Sequence, residues 1–242
     1  MKAVIVGGTS GLGRALAAEF MAAGWTVAVT GVRPAALAEF SAKFPAALAF
    51  KLDVTATAAA RARLLEIISG LGGVDAAVIC AGRYDDDQHA DWAVEERTIA
   101  VNASGCAAVL NAAFHYFLQK GGGRLACVSS IGGVRGNARC PAYNASKAFL
   151  FNYLEGLRQH AALAGTPVTI TNAVPAYVGG ALEPAARAIL RAVLAGRRSV
   201  YVPGYWRLLA AAYRNLPDLL HEKMARWHYA LLKPFMRSAP RR

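Results

Sequence analysis

Ala3-Val4-Ile5-Val6-Gly7-Gly8-Thr9-Ser10-Gly11-Leu12-Gly13 decides the fold. Four short apolar residues stop at glycines, and from Gly11 to Ala23 the apolar positions Leu16, Phe20 and Ala23 recur at helical spacing. The stretch therefore reads as strand, tight turn, helix. Outward from it the alternation continues. Thr26 to Thr30 precedes a helix opened by Pro34, Ala47 to Leu52 precedes a helix from Ala56 to Ser69, and Val74 to Cys80 precedes further helix. Arg124 to Ser129, Val168 to Val174 and Ser199 to Val202 give three more strands, with long helices at about 99 to 120 and 143 to 164 and another beginning near Leu182. Strands separated by helices predict a parallel sheet covered on both faces, because each crossover must return over the sheet. The expected architecture is α/β: a three-layer, doubly wound, Rossmann-type sheet of seven strands followed by a helical C-terminal extension.

The bulk composition suits one such sheet. In 242 residues, 55% are hydrophobic and 17% charged, which supports a large core and excludes a disordered chain. We divide the chain at Pro203, with residues 1–203 as the principal body and 204–242 as a basic extension of the same domain. The four cysteines, Cys80, Cys106, Cys127 and Cys140, have neither zinc-site spacing nor disulfide-scaffold density, and they read as reduced, mostly buried thiols with no metal. Met1 and Lys2 lead directly into the first strand, leaving no room for a signal peptide, so a cytoplasmic location is expected. No run of 18 apolar residues is present to span a bilayer.

Glycines in a strand-to-helix turn let backbone N–H groups approach a pyrophosphate, which the helix N-terminus stabilises through its aligned dipoles. The same turn can also exist without a ligand. If a dinucleotide binds, its adenosine ribose is normally gripped by an acid at the end of the second strand. Here that strand ends Val29-Thr30-Gly31-Val32-Arg33, with no carboxylate. Arg33 is either a solvated loop cation or the partner of a 2′-phosphate, and the latter favours NADP(H) over NAD(H).

Tyr143 and Lys147 stand four residues apart on a predicted helix and share one face. Such a pair is often incidental. Ser130, however, ends a strand thirteen residues earlier, and in parallel sheets ligands sit beyond the carboxyl ends of strands. A phenol titrates near pH 10 in water, and a neighbouring ammonium and a cationic nicotinamide both favour the phenolate. Tyr143 then suits an acid in carbonyl reduction and a base in alcohol oxidation, with Ser130 bonding the same oxygen.

With these residues in view, the chain resembles the short-chain dehydrogenase/reductase family, in its branch of roughly 250 residues. The resemblance covers about residues 1 to 203 and rests on Gly7-x-x-x-Gly11-x-Gly13, Leu52-Asp53-Val54, Cys80-Ala81-Gly82, Val101-Asn102-Ala103, Val128-Ser129-Ser130 and Tyr143-Asn144-Ala145-Ser146-Lys147. It implies that Ser130, Tyr143, Lys147 and Asn102 form a catalytic tetrad. It also implies that Lys147 holds the nicotinamide ribose, Asn102 anchors a water linking Lys147 to solvent, and Asp53 and Val54 meet the adenine. A homodimer built on the helices at 99 to 120 and 143 to 164 is implied too.

Two departures stand out. Cys80 replaces the family's asparagine, while Gly82, which lets the cofactor approach, is kept. After the sixth strand, Pro175-Ala176-Tyr177-Val178-Gly179-Gly180 lacks the usual Pro-Gly and threonine, leaving the carboxamide contact to backbone atoms around Pro175 and Val178. The same stretch is short where relatives insert a substrate-covering loop. That predicts either an open pocket, suited to a large or lipid-linked carbonyl or alcohol substrate, or one closed by the tail. An alternative of another class is a nucleotide-binding regulatory or scaffold protein without turnover, for which the phenol would be superfluous.

The net charge is +12, and half of the excess lies after Tyr205. There Leu209, Tyr213, Leu216, Leu220, Met224, Trp227 and Leu231 form an apolar stripe at helical spacing, flanked by arginines and lysines. The stripe either packs as a lid or dimer contact, or lies in the headgroup region of an anionic membrane with Trp206, Trp227 and Phe235 at the boundary. No nucleic-acid recognition motif accompanies the charge.

Overall fold

The computed structural model describes residues 1–87, 89–176 and 182–236, with side chains described as far as Trp227. Val178 and the arginines after Met236 lie outside these residues, as do the side chains of Leu231, Lys233 and Phe235. Seven strands, β1 (Lys2–Val6), β2 (Thr26–Gly31), β3 (Leu48–Lys51), β4 (Ala76–Ile79), β5 (Gly123–Val128), β6 (Val168–Pro175) and β7 (Ser199–Val202), form one sheet. Its order is β3-β2-β1-β4-β5-β6-β7, and all pairs are parallel. This is the expected doubly wound sheet, and its boundaries fall close to the predicted ones.

Period-two alternation sends each strand's residues into two separate cores. Val4 and Val6 of β1 join Leu64, Phe114 and Leu150 beneath α3 (Thr57–Gly70), α5 (Cys106–Lys120) and α6 (Pro141–Leu163). Ala3 and Ile5 join Leu16, Phe20, Phe40 and Ile189 beneath α1 (Gly11–Ala22), α2 (Pro34–Lys43) and α7 (Leu182–Leu194). Both faces of β1 are sealed, so ligands are left the strand ends. The chain runs outward from β1 to β2 on one side and returns beside it as β4 on the other, which opens a crevice at the carboxyl ends of β1 and β4.

One predicted element differs. The helix expected from 99 to 120 begins as α4 (Trp92–Ile99), passes through a π-helical turn over Ala100–Gly105 and continues as α5. The π turn preserves the apolar face that sequence periodicity detects while widening the coil around Asn102. The other long helix starts at Pro141, where proline is pre-organised for the first helical position. After β7 come α8 (Trp206–Arg214) and α9 (Asp218–Met236), the helices of the expected extension.

Candidate active site

The glycine turn is tied to the neighbouring strand, because Gly7 N–H and Gly8 N–H both donate to Thr30 O at 3.0 Å. Gly7 has φ +84°, and a Cβ on it would lie 2.6 Å from Ala81 N. A Cβ on Gly13 would lie 2.2 Å from Gly7 O, so only glycine lets α1 seat against the turn. Ser10 precedes α1 without a side-chain capping bond, so the first-turn N–H groups still face the crevice as donors.

A cleft of about 450 Å³ follows this turn. It brings Gly7, Thr9, Ser10, Gly11, Leu12 and Gly13 together with Arg33 at the end of β2, Asp53 and Val54 after β3, and Cys80, Ala81 and Gly82 after β4. Four strand ends thus converge. Asp53 is held below the usual carboxylate range by the Thr55 hydroxyl, which donates to Oδ1 at 2.7 Å, and then by the Thr55 N–H at 2.9 Å. Arg33 is exposed at the cleft, directly before Pro34. Cys80 is different: burial pushes its thiol up to about 12, and that of Cys106 up to about 11, so both are protonated thiols rather than nucleophiles.

Lys147, only 4% exposed, donates from Nζ to Val128 O at 3.1 Å. A Cβ on Gly82 would come within 3.4 Å of that Nζ, so the ammonium lies next to a glycine that lines the first cleft. An ammonium has three donors, and ribose hydroxyls beside Gly82 would satisfy the others. Together with the uncapped α1 start, this lining would suit a dinucleotide.

Tyr143 sits one turn before Lys147, whose Nζ lies 5.7 Å from the phenol ring centroid. Ser130 precedes a single 3₁₀ turn, Ile131–Gly133, and its Oγ accepts from Gly132 N–H at 3.1 Å. Its hydroxyl proton is therefore left to donate. A methyl on Gly132 would meet Tyr143 Cε1 at 3.3 Å and Ser130 Oγ at 3.5 Å, so phenol and hydroxyl flank one small space. Both line a second cleft of about 630 Å³, which also takes in Tyr84, Ile131, Arg135, Arg139, Cys140 and Ala176 and is walled by α8. Pro175 ends β6 one residue before Ala176.

Asn102 is fully buried on the π turn. Its Oδ1 accepts from Arg83 N–H at 2.7 Å, while Nδ2 donates to Arg83 O at 2.8 Å and to Ser146 Oγ at 3.2 Å. Ser146 Oγ in turn donates to Tyr143 O at 2.7 Å. The side chain thus clamps the segment after Gly82 to the helix bearing Tyr143. A water link from Asn102 to Lys147 would have to use its main-chain carbonyl.

Sequence reading passed over Tyr84, Arg135 and Arg139. Tyr84 meets the Tyr143 ring edge-on at 5.0 Å between centroids. The two arginines lie between Ser130 and Tyr143 in the chain, which is the signal that could have found them: a segment joining two site residues borders the site.

Fold and paired clefts define a dinucleotide-binding α/β oxidoreductase scaffold. A family model described as short chain dehydrogenase matches residues 1–188. The chain belongs to the short-chain dehydrogenase/reductase family and is an NAD(P)-dependent enzyme of that family. It is 35% identical over 182 residues to an uncharacterized oxidoreductase of Myxococcus xanthus, covering 73% of this chain and 71% of the relative. It is 32% identical over 178 residues to a 2-dehydro-3-deoxy-L-rhamnonate dehydrogenase (NAD(+)) of a Sphingomonas species, covering 72% and 70%. In fold it resembles a crystal structure of a short-chain dehydrogenase from Streptomyces avermitilis, with TM-score 0.76, 24% identity and 99% of each chain covered.

Proposed function

We propose that the protein interconverts a carbonyl and an alcohol with NADP(H), using Tyr143 as acid and base. The observation that carries this reading is that Ser130 and Tyr143 line an open cleft while the Lys147 ammonium, one turn further along the same helix, lies against Gly82, which borders the cleft shaped for a dinucleotide. In reduction Tyr143 gives its phenolic proton to the carbonyl oxygen, Ser130 donates a hydrogen bond to the same oxygen, and the Lys147 ammonium offsets the negative charge left on the phenol. In oxidation the proton moves the other way. A dinucleotide bound in the first cleft would supply or accept the hydride. Its pyrophosphate would lie on the N–H groups from Thr9 to Gly13, its adenine against Asp53 and Val54, and its carboxamide near Pro175. Arg33, with no acid at the end of β2, supports the 2′-phosphate form.

Titration of NADPH and NADH by cofactor fluorescence, with turnover of a carbonyl panel, tests the reading. Tyr143→Phe is expected to keep NADPH affinity and lower turnover by about 10²- to 10⁴-fold. Full activity in that variant would assign the acid elsewhere, and NADPH binding with no turnover of any carbonyl would favour the regulatory or scaffold alternative.

The same proposal divides the chain into a catalytic body, 1–203, and a basic extension, 204–242. It places the protein in the cytoplasm as a homodimer, paired through the apolar groove of about 510 Å³ between α5 and α6, where Phe149 stacks on Tyr153. Among the described residues no helix is long and apolar enough to cross a membrane. The extension instead supports peripheral contact with an anionic membrane face, and with it a large or lipid-linked substrate. Leu208, Leu219 and Trp227 are 77%, 64% and 68% exposed there, beside Arg207, Lys223 and Arg226.

A further inference from the structure

α8 has two faces. Leu208 points to solvent, while Trp206, Leu209 and Tyr213 form a wall of the cleft that holds Ser130 and Tyr143. The helix is strapped in place by Arg135, whose guanidinium donates to Arg214 O at 3.3 Å, to Leu216 O at 2.7 Å and to Asp218 Oδ1 at 2.8 Å. These acceptors are the last residue of α8, the linker before Pro217 and the first residue of α9. Tyr213 is further tied to α9 by a hydrogen bond between its hydroxyl and His221 Nε2 at 2.8 Å. The wall is therefore pinned from both sides of Pro217.

The chemistry of the lining narrows the ligand. Tyr84, Ile131, Trp206, Leu209 and Tyr213 offer ring faces and aliphatic surface. The two cations at the cleft already carry carboxylates: Arg135 is paired with Asp218, and Arg139 with Asp86, which holds its guanidinium above the usual range. An anionic substrate would meet guanidiniums whose charge a carboxylate already matches, whereas a neutral apolar body would displace only water.

Resting on the carbonyl-reductase reading, we infer that the substrate is a neutral carbonyl compound with a large apolar body, that Trp206, Leu209 and Tyr213 select it, and that Arg135 positions them. Arg135 acts through α8 and does not touch the reacting atoms.

The test is calorimetric binding of methyl ketones from 2-butanone to 2-dodecanone, and of 11-oxododecanoate, with and without NADP+. Affinity is expected to rise about threefold to fourfold per added methylene until the cleft is filled, with the carboxylated ketone binding more weakly than its neutral counterpart. Leu209→Asp and Arg135→Ala should each weaken 2-dodecanone at least tenfold and leave 2-butanone and NADP+ unchanged. Leu208→Asp, on the solvent face of the same helix, should match the parent and controls for damage to the fold. Affinity independent of chain length, tighter binding of the carboxylate, or equal losses in the Leu208 and Leu209 variants would each overturn the inference. Binding of NADP+ with no ketone bound at all would also overturn it while leaving the redox reading intact, and failure to bind NADP+ would strike that reading instead.

Discussion

At the scale of single residues, the site is governed by absences as much as by side chains. A Cβ on Gly7 would meet the Ala81 backbone, one on Gly13 the carbonyl of Gly7, and one on Gly82 would rest against the Lys147 ammonium. These glycines, with Ser130, Tyr143 and Lys147, were legible in the sequence because their spacing is fixed by backbone geometry. Arg135 was not, since nothing in its immediate neighbours announces that its partners lie some 80 positions downstream. Cofactor choice also belongs to this scale. With no acid at the end of β2, one guanidinium would carry discrimination between the two dinucleotides. Arg33→Ala is expected to weaken NADPH by about 10- to 100-fold, the worth of a charge-assisted contact, with NADH nearly unchanged. Parallel titrations measure this, and an equal loss for both cofactors would make Arg33 a general surface cation.

At the scale of elements, hydrophobic periodicity located all seven strands and the long helices, because each buries a face whose period is 2 or 3.6. It missed the π turn over Ala100–Gly105, since a one-residue insertion changes hydrogen bonding without interrupting the apolar stripe. It also could not divide the tail. The stripe that suggested either a lid or a membrane helix is split between helices: Leu209 and Tyr213 of α8 line the cleft, while Leu220, Met224 and Trp227 on α9 are exposed outside it. If α9 rests on an anionic bilayer, each cation near the surface contributes about 1 kcal/mol, screened by salt. Co-sedimentation with vesicles containing phosphatidylglycerol should be strong at low salt, weak at high salt, and reduced at least tenfold by Lys223→Glu with Arg226→Glu. Equal partition onto neutral and anionic vesicles would remove the membrane from the account.

Across the whole molecule, two clefts open at the carboxyl edge of the sheet, and the apolar groove of α5 and α6 lies between helices flanking it. Phe149, 41% exposed on that groove, is what a paired subunit would cover. Sedimentation velocity at micromolar concentration is expected to give a dimer, converted to monomer by Phe149→Arg with little loss of monomer folding. A parent protein that sediments as a monomer would leave the groove without that role.

The strap from Arg135 to the end of α8 joins the last sixth of the polypeptide to the segment that begins with Ser130. On the proposed reading, hydride chemistry and molecular choice fall largely in different parts of one chain. Exchanging everything beyond Pro203 for another sequence would change which compound is admitted while the reaction performed on it stayed the same.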